Sequence, residues 1–282
     1  FFSIFFGMIV GDAGYGAIFL ALALAGRKLF PKAPRIVFSM LTLMSLCTIT
    51  WGALTGSYFG IVPEALAGPL NGITPLSNGN PESAANVMFI CFLIGAVHLT
   101  IAHGWNVIRK MPSTEAIGDA GWLMSTWVMF FTARTMILLK PFPHFMLWVL
   151  AVAFVCIVIG LIFPFSKLKT NAVNLITLPL NMVSNFVDVV SYVRLFAVGM
   201  ATYAVASAFN EMALGIGFGN VLTGLIAALI LFAGHALNLA LSVMGVLVHG
   251  IRLNTLEFSG HLGMEWTGVP YRPFVKKTDK SE

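Results

Sequence analysis

The strongest constraint on this chain is a succession of apolar runs, each long enough, or nearly so, to cross a bilayer. They occupy Phe1 to Ala25, Ile36 to Gly60, Val87 to Ile108, Ala116 to Leu139, Phe145 to Phe163, Ser184 to Asn210 and Val221 to Leu262. A helix crosses the ~30 Å hydrocarbon core with ~20 apolar residues. Only 10% of the residues are charged and 58% are hydrophobic, whereas about a quarter of a soluble domain is charged. A membrane barrel would show alternating segments of about ten residues, and none is present. The fold expected is all-α: a polytopic bundle of transmembrane helices.

The position of the charges sets the topology. Arg27, Lys28, Lys32 and Arg35 follow the first run, and Arg109 and Lys110 the third. Lys167 and Lys169 follow the fifth, and Arg272, Lys276, Lys277 and Lys280 lie in the tail. Ile61 to Asn86 carries two glutamates and no Lys or Arg. Basic loops stay cytoplasmic, so every cluster falls on one side and the C-terminus is inside. Gly11-Asp12-Ala13-Gly14-Tyr15-Gly16 interrupts the first run as a tight turn or a close helix crossing. Counted as a hairpin, it raises the total to about eight spans, the first one truncated. The chain starts inside an apolar run, with neither Met nor a basic leader, which suggests that an N-terminal part is missing.

Three regions follow: 1–170, the first six spans; 171–262, two long helices; and 263–282, a basic cytoplasmic tail. Asn171 to Met182, with Pro179, reads as an interfacial approach helix to the Ser184–Asn210 span. Val221 to Leu262 is 42 residues long, ~63 Å at 1.5 Å per residue, so it must tilt strongly or project from the bilayer. The net charge of +5 is not arranged as a basic stripe with interleaved aromatics, which excludes a nucleic-acid surface. Cys47, Cys91 and Cys156 sit in apolar runs at no metal or disulfide spacing and read as packing residues. No Walker-type phosphate loop occurs, and no inverted repeat of the secondary-transporter kind is evident.

Charges inside the apolar runs need an explanation. Arg194 stays protonated and costs roughly 2.5–3.5 kcal/mol at the bilayer centre. It either snorkels or pairs within the bundle, or it serves a partner anion or an aqueous path. Ser184, Asp188, Ser191 and Arg194 follow at +4, +3 and +3, a slowly drifting helical face. Asp188 and Arg194 are six residues apart, so no ion pair between them is expected. Asp188 lies toward the cytoplasm, where an ion would enter. His235, Asn238, Ser242, Gly245, His249 and Arg252 follow at +3, +4, +3, +4 and +3, one helical face ~26 Å long. That line is either interhelical hydrogen bonding or one wall of an ion path. Two buried arginines without matching acids suggest a counter-anion on another subunit. Asp12 is either a helix cap or a path residue. His98 and His103 are five apart, off one face, which disfavours a haem or metal pair. No cofactor is called for.

Together these segments resemble a known family. Ser191-Tyr192-Val193-Arg194-Leu195-Phe196-Ala197 and His249-Gly250-Ile251-Arg252-Leu253-Asn254-Thr255-Leu256-Glu257-Phe258 look like the last two membrane helices of the V/A-type rotary ATPase stator subunit, called subunit a or subunit I. The glycine motif with Gly11, Asp12, Gly14 and Gly16 resembles that family's first hairpin, and Gly268-Val269-Pro270-Tyr271-Arg272-Pro273-Phe274 its end. The resemblance implies an N-terminal cytoplasmic arm joining a peripheral stalk and catalytic sector. It also implies, as partner, a rotor ring of small membrane subunits with buried carboxylates (c, K or L type).

By the same resemblance, Arg194 keeps each ring carboxylate ionised in turn and separates two aqueous half-channels for H⁺ or Na⁺. Arg252 matches the second arginine, His249 the polar position one turn before it, and Glu257 the acid five residues after it. Ser242 stands where some relatives carry a carboxylate and Thr202 where some carry a histidine, so the outer half-channel is expected to use different groups here. The motif style suggests a prokaryotic plasma membrane. The chain would be a non-catalytic subunit. A stand-alone secondary ion transporter, or a structural or haem-binding anchor, is the alternative.

Overall fold

In the computed structural model, residues 1–61, 73, 75–77, 80–163, 173–264 and 268 are described. Among them every regular element is a helix. In chain order these are α1 (Phe2–Val10), α2 (Ala13–Leu29), α3 (Arg35–Thr55), α4 (Ser83–Lys110), α5 (Glu115–Leu138), α6 (Phe145–Ile162), α7 (Leu178–Val190), α8 (Val193–Ile216) and α9 (Val221–Leu262). The basic residues from Lys167 to Lys169 and in the tail, and the family-like segment after Gly268, lie outside the described residues.

The glycine motif is a hairpin turn. Gly11 ends α1 in the left-handed region at φ 67°, which a residue without Cβ adopts freely. Asp12 then caps α2. Its Oδ1 accepts from the amides of Gly14 (2.8 Å) and Tyr15 (3.1 Å), satisfying donors that a helix start leaves open. Its Oδ2 accepts from Ser57 Oγ (2.8 Å) and the Gly60 amide (3.1 Å). This clamps the hairpin to the end of α3. Gly52 of α3 lies so close to the turn that a Cβ there would sit 2.1 Å from the Ala13 nitrogen. Gly14 and Gly16 face Phe59 and Ile49 in the same way.

Short as it is, α1 is the hub. Six of its nine residues are buried, and it packs against α3, α8 and α9. Phe5, Met8 and Ile9 meet Cys91, Phe92 and Leu99 of α4, Leu195 of α8, and Val246 and Leu253 of α9 in one apolar cluster. The α4–α5–α6 group packs alongside. Hydroxyls inside the spans are hidden locally. Thr42, Ser45, Thr48, Thr50 and Thr55 of α3 each donate to the carbonyl four residues back, a bond open to Ser and Thr within a helix.

Five helical stretches are long and apolar enough to cross a bilayer: Arg35–Thr55, Ser83–Lys110, Phe145–Ile162, Leu178–Ile216 and Val221–Leu262. The count of about eight, read from hydropathy and charge, also included α1, α2 and α5. Of these, α2 has seventeen residues, below the ~20 of a full span, and α1 is the piece already counted as truncated. The last helix has the expected bounds. It follows Gly217 (φ 77°) and starts on an Asn220–Thr223 capping box. The span expected over Ser184–Asn210 is not one helix. α7 begins at Leu178, with Pro179 in its first turn, where a missing N–H is harmless. It ends at Val190, and α8 starts afresh at Val193.

Candidate ion-translocation site

Two helical irregularities face each other. Between α7 and α8, the amides of Tyr192, Arg194 and Leu195 donate to carbonyls three residues back, at 3.4, 3.2 and 3.1 Å. This is a tight 3₁₀-like turn, of a kind that often marks functional positions in mid-helix. Opposite, α9 widens into π turns at Val246–Gly250 and Leu253–Phe258. A π turn bonds i to i+5, so residues five apart become neighbours. Arg252 Nε thereby stands 3.7 Å from Glu257 Oε1.

Arg194 emerges from the tight turn and reaches across. Its Nη2 donates to Ser191 Oγ at 2.7 Å and to Glu257 Oε1 at 2.9 Å. The Glu257 side chain is 4% exposed, that of Arg194 21% and that of Arg252 55%. The pairing corrects one expectation: Arg194 has an acid within its own chain, so its counter-anion does not come only from elsewhere. The π turns explain why spacing did not reveal this, since they carry Glu257 onto a face that an α-helix would not give it. The balance is still incomplete. One carboxylate stands between two guanidiniums, and both Arg194 Nη1 and Glu257 Oε2 are buried with no hydrogen-bond partner among the described residues.

Asp188 stands apart from Arg194, as expected. Its Oδ2 lies 2.9 Å from Nε2 of His261 at the end of α9. His261 in turn meets the buried ring of His103 edge-on at 4.8 Å.

The polar line on α9 divides. His235, Asn238 and Ser242 turn inward to the hairpin and α8. Nδ1 of His235 is 2.7 Å from the Tyr15 hydroxyl. Asn238 Nδ2 donates to Tyr15 Oη (3.1 Å) and to the Thr202 carbonyl (2.9 Å), and Ser242 Oγ donates to the Asn238 carbonyl (2.8 Å). His235 and Asn238 thus bond across helices, whereas Ser242 bonds back within α9. His249 lines a groove of about 410 Å³ between α8 and α9, which Thr202, Asn238 and Gly245 also border. Arg252 turns outward, because the π turns shift the register beyond Gly245.

His98 is a core residue. Its Nδ1 lies 2.8 Å from the Tyr192 hydroxyl, and its ring stacks between Phe1 (4.2 Å) and Phe258 (4.3 Å). Among the described residues no group of three His, Cys, Asp or Glu could hold a metal ion.

No family model matches the chain. It is 37% identical, over 98% of its length, to V-type ATP synthase subunit I of Borreliella burgdorferi, of which it covers 48%. It is 35% identical, over 98% of its length, to V-type ATP synthase subunit I 1 of Treponema pallidum, covering 46%. To A-type ATP synthase subunit I of Methanocaldococcus jannaschii it is 28% identical, over 97% of its length, covering 43%. Over nearly its full length, its curated homologues are subunit I of V/A-type ATP synthases. The chain spans about half the length of the curated relatives it matches. The structure gathers Ser191, Arg194, Arg252 and Glu257 at one crossing. It places Asp188 with His261, and His235 and Asn238 with Tyr15. Asp12, Gly11, Gly14 and Gly16 stay in the hairpin. Reading the sequence missed Tyr15 and His261 as polar partners. Their contacts lie 220 and 73 residues away, and no local spacing signals them.

Proposed function

We propose that this chain is the ion-translocating membrane part of a V/A-type rotary ATPase, working without a nucleotide site of its own against a rotor ring of buried carboxylates. The observation that carries the reading is the unsatisfied crossing: among the described residues, Arg194 keeps one N–H group buried and unpaired beside one in-chain acid. A cation so placed favours ionisation of a carboxyl that comes near it. A neutral wall with one fixed positive charge also opposes direct passage of a cation. In the working cycle an ion enters from one side and neutralises a ring carboxylate, which then turns into lipid. On its return Arg194 favours re-ionisation, and the ion leaves on the other side.

The long α8–α9 pair supports the same reading. α9 leaves Leu225, Leu229, Phe232, Leu237 and Leu241 uncovered by the rest of the chain, an apolar face suited to lipid and to a ring of apolar helices. Arg27, Lys28, Lys32 and Arg35 flank the α2–α3 connection, and Arg109 and Lys110 end α4. By the positive-inside rule that end and the C-terminus are cytoplasmic. The test is ATP-driven ion uptake into vesicles carrying the full complex, with Arg194→Gln compared with wild type and assembly checked in parallel. An assembled variant that moves no ions supports the reading. Near wild-type uptake would reduce Arg194 to a structural residue, and transport by the purified chain alone would favour a secondary transporter.

A further inference from the structure

Beyond the arginine crossing, a second polar assembly lies at the opposite, non-basic end of the α8–α9 pair. A groove of about 540 Å³ opens there between the ends of α3, α8 and α9. Its walls are mostly apolar, but Glu211, Ser207 and His235 line it. Ser207 Oγ donates to Glu211 Oε1 at 3.4 Å. His235 lies fourteen residues into α9 from Val221, a depth of ~21 Å along the helix. The groove therefore reaches well inside the span.

Its floor is built from far-apart parts of the chain. Phe59, which lines the groove, is held at φ 52°, a conformation disfavoured for a bulky residue. Its ring meets Tyr15 at 5.5 Å and His235 at 5.9 Å. Asn210 Nδ2 donates to the Phe59 carbonyl at 2.7 Å. Backbone strain of this kind persists where the surroundings enforce it, and it clusters at functional sites. Beneath the ring, Tyr15 is 1% exposed and Asn238 0%. Because Asn238 Nδ2 donates to the phenol oxygen, the Tyr15 hydroxyl is free to donate to Nδ1 of His235. Asn238 Oδ1 is buried without a hydrogen-bond partner among the described residues, and Asn238 also borders the inner groove with His249.

We propose that the groove at Glu211 is an aqueous inlet, and that the His235–Tyr15 pair at its floor passes protons between it and the inner groove at Asn238 and His249. The proposal rests on the ion-translocation reading above and adds to it the ion, a proton, and the outer route. In the outward direction the Tyr15 hydroxyl proton moves to Nδ1 of His235, and His235 releases its Nε2 proton to groove water. Tyr15 then regains a proton from water of the inner groove, and the His235 ring turns over so that its unprotonated nitrogen faces the hydroxyl again, which resets the pair. The inward direction is the reverse. The floor offers one imidazole, one phenol and one amide, not the set of oxygens that a hard metal cation requires. The route uses neither Ser242 nor Thr202 as a proton carrier, so it supplies the outer path without the carboxylate and histidine that those positions lack.

The test uses the full complex in vesicles, in sodium-free buffer. ATP-driven acidification is measured for wild type, Arg194→Gln, Tyr15→Phe, His235→Gln and Glu211→Gln. In parallel, Ser207→Cys is probed with a membrane-impermeant maleimide from the non-basic side, with the native cysteines replaced. Acidification without sodium is expected in wild type. Tyr15→Phe and His235→Gln should each lose roughly 100-fold or more of the rate that a positioned proton carrier supplies, at normal assembly. Glu211→Gln should slow uptake less, and Ser207→Cys should react. Unchanged uptake in both Tyr15→Phe and His235→Gln, an unreactive Ser207→Cys, or uptake that requires sodium would each overturn the proposal. If His235→Gln fails to assemble, Tyr15→Phe and the labelling decide. Loss of uptake in Arg194→Gln alone would leave the translocation reading standing and remove this route. Uptake that survives Arg194→Gln would remove the reading itself.

Discussion

The hairpin around Asp12 and the crossing around Arg194 both bury a carboxylate inside an apolar bundle, and they treat it in opposite ways. Asp12 is 3% exposed and accepts four hydrogen bonds, two on each oxygen. Glu257 is 5% exposed, yet only one of its oxygens is used, by Arg194 and, more distantly, Arg252. Burying a polar group is costly unless it is bonded. The hairpin meets that requirement fully with neutral donors fixed in the backbone and in Ser57. The crossing meets it in part, with guanidiniums carried on side chains. A saturated site has nothing left to exchange and serves as a rivet. The crossing, whose Arg194 Nη1 and Glu257 Oε2 have no partner among the described residues, can take on another charged group and let it go.

The largest effect that sharpens this contrast belongs to Arg194→Gln. A cation within reach favours carboxyl ionisation by roughly 10- to 1,000-fold, so ATP-driven uptake should fall by that order while the complex still assembles. Glu257→Gln keeps the shape but leaves two guanidiniums facing each other. A hydrogen bond to a charged group is worth roughly 1.5–3 kcal/mol, and we expect uptake to drop roughly tenfold, with a modest loss of thermal stability.

Asp12→Ala should show the reverse pattern. Loss of its bonds predicts roughly 3 kcal/mol or more of destabilisation, read as a lower thermal midpoint in detergent, with normal turnover per assembled complex. If Asp12→Ala instead stopped transport at unchanged stability, the rivet reading would fall. Gly52→Ala, with its Cβ driven onto the Ala13 nitrogen, should cost roughly 1–3 kcal/mol by overpacking. Gly260→Ala, at the end of α9 with nothing within 4 Å of the added atom, should stabilise by only ~0.5–1 kcal/mol.

The helical class, the glycine hairpin and the bounds of α9 were legible because each rests on local chemistry: apolar run length and turn residues. Arg194 was legible because a lone charge in an apolar run is conspicuous. The crossing itself was not. α-Helical spacing puts Arg252 at the inward end of the polar line, and the structure turns it outward. The same spacing gives no reason to aim Glu257 at Arg194. Both outcomes follow from π turns, which single-period pattern reading does not contain. The break at Ser191–Tyr192 carries no Gly or Pro, so the sequence does not announce it. Tyr15 was hidden for another reason. It sits in a motif read for its glycines, and its partners lie on the last helix.

The widened turns of α9 have a consequence for how this helix tolerates change. Substitution alters which side chain stands at a position, but the angular phase of everything beyond Val246 depends on how many residues the turns contain. Each residue advances an α-helix by about 100°. Deleting one residue between Val246 and Phe258 would therefore swing Glu257 and His261 together away from Arg194 and Asp188, even with every other side chain unchanged. At this crossing the chain is keyed by length. Single insertions or deletions here are expected to act as on–off changes, whereas most exposed apolar substitutions on the same helix should pass almost unnoticed.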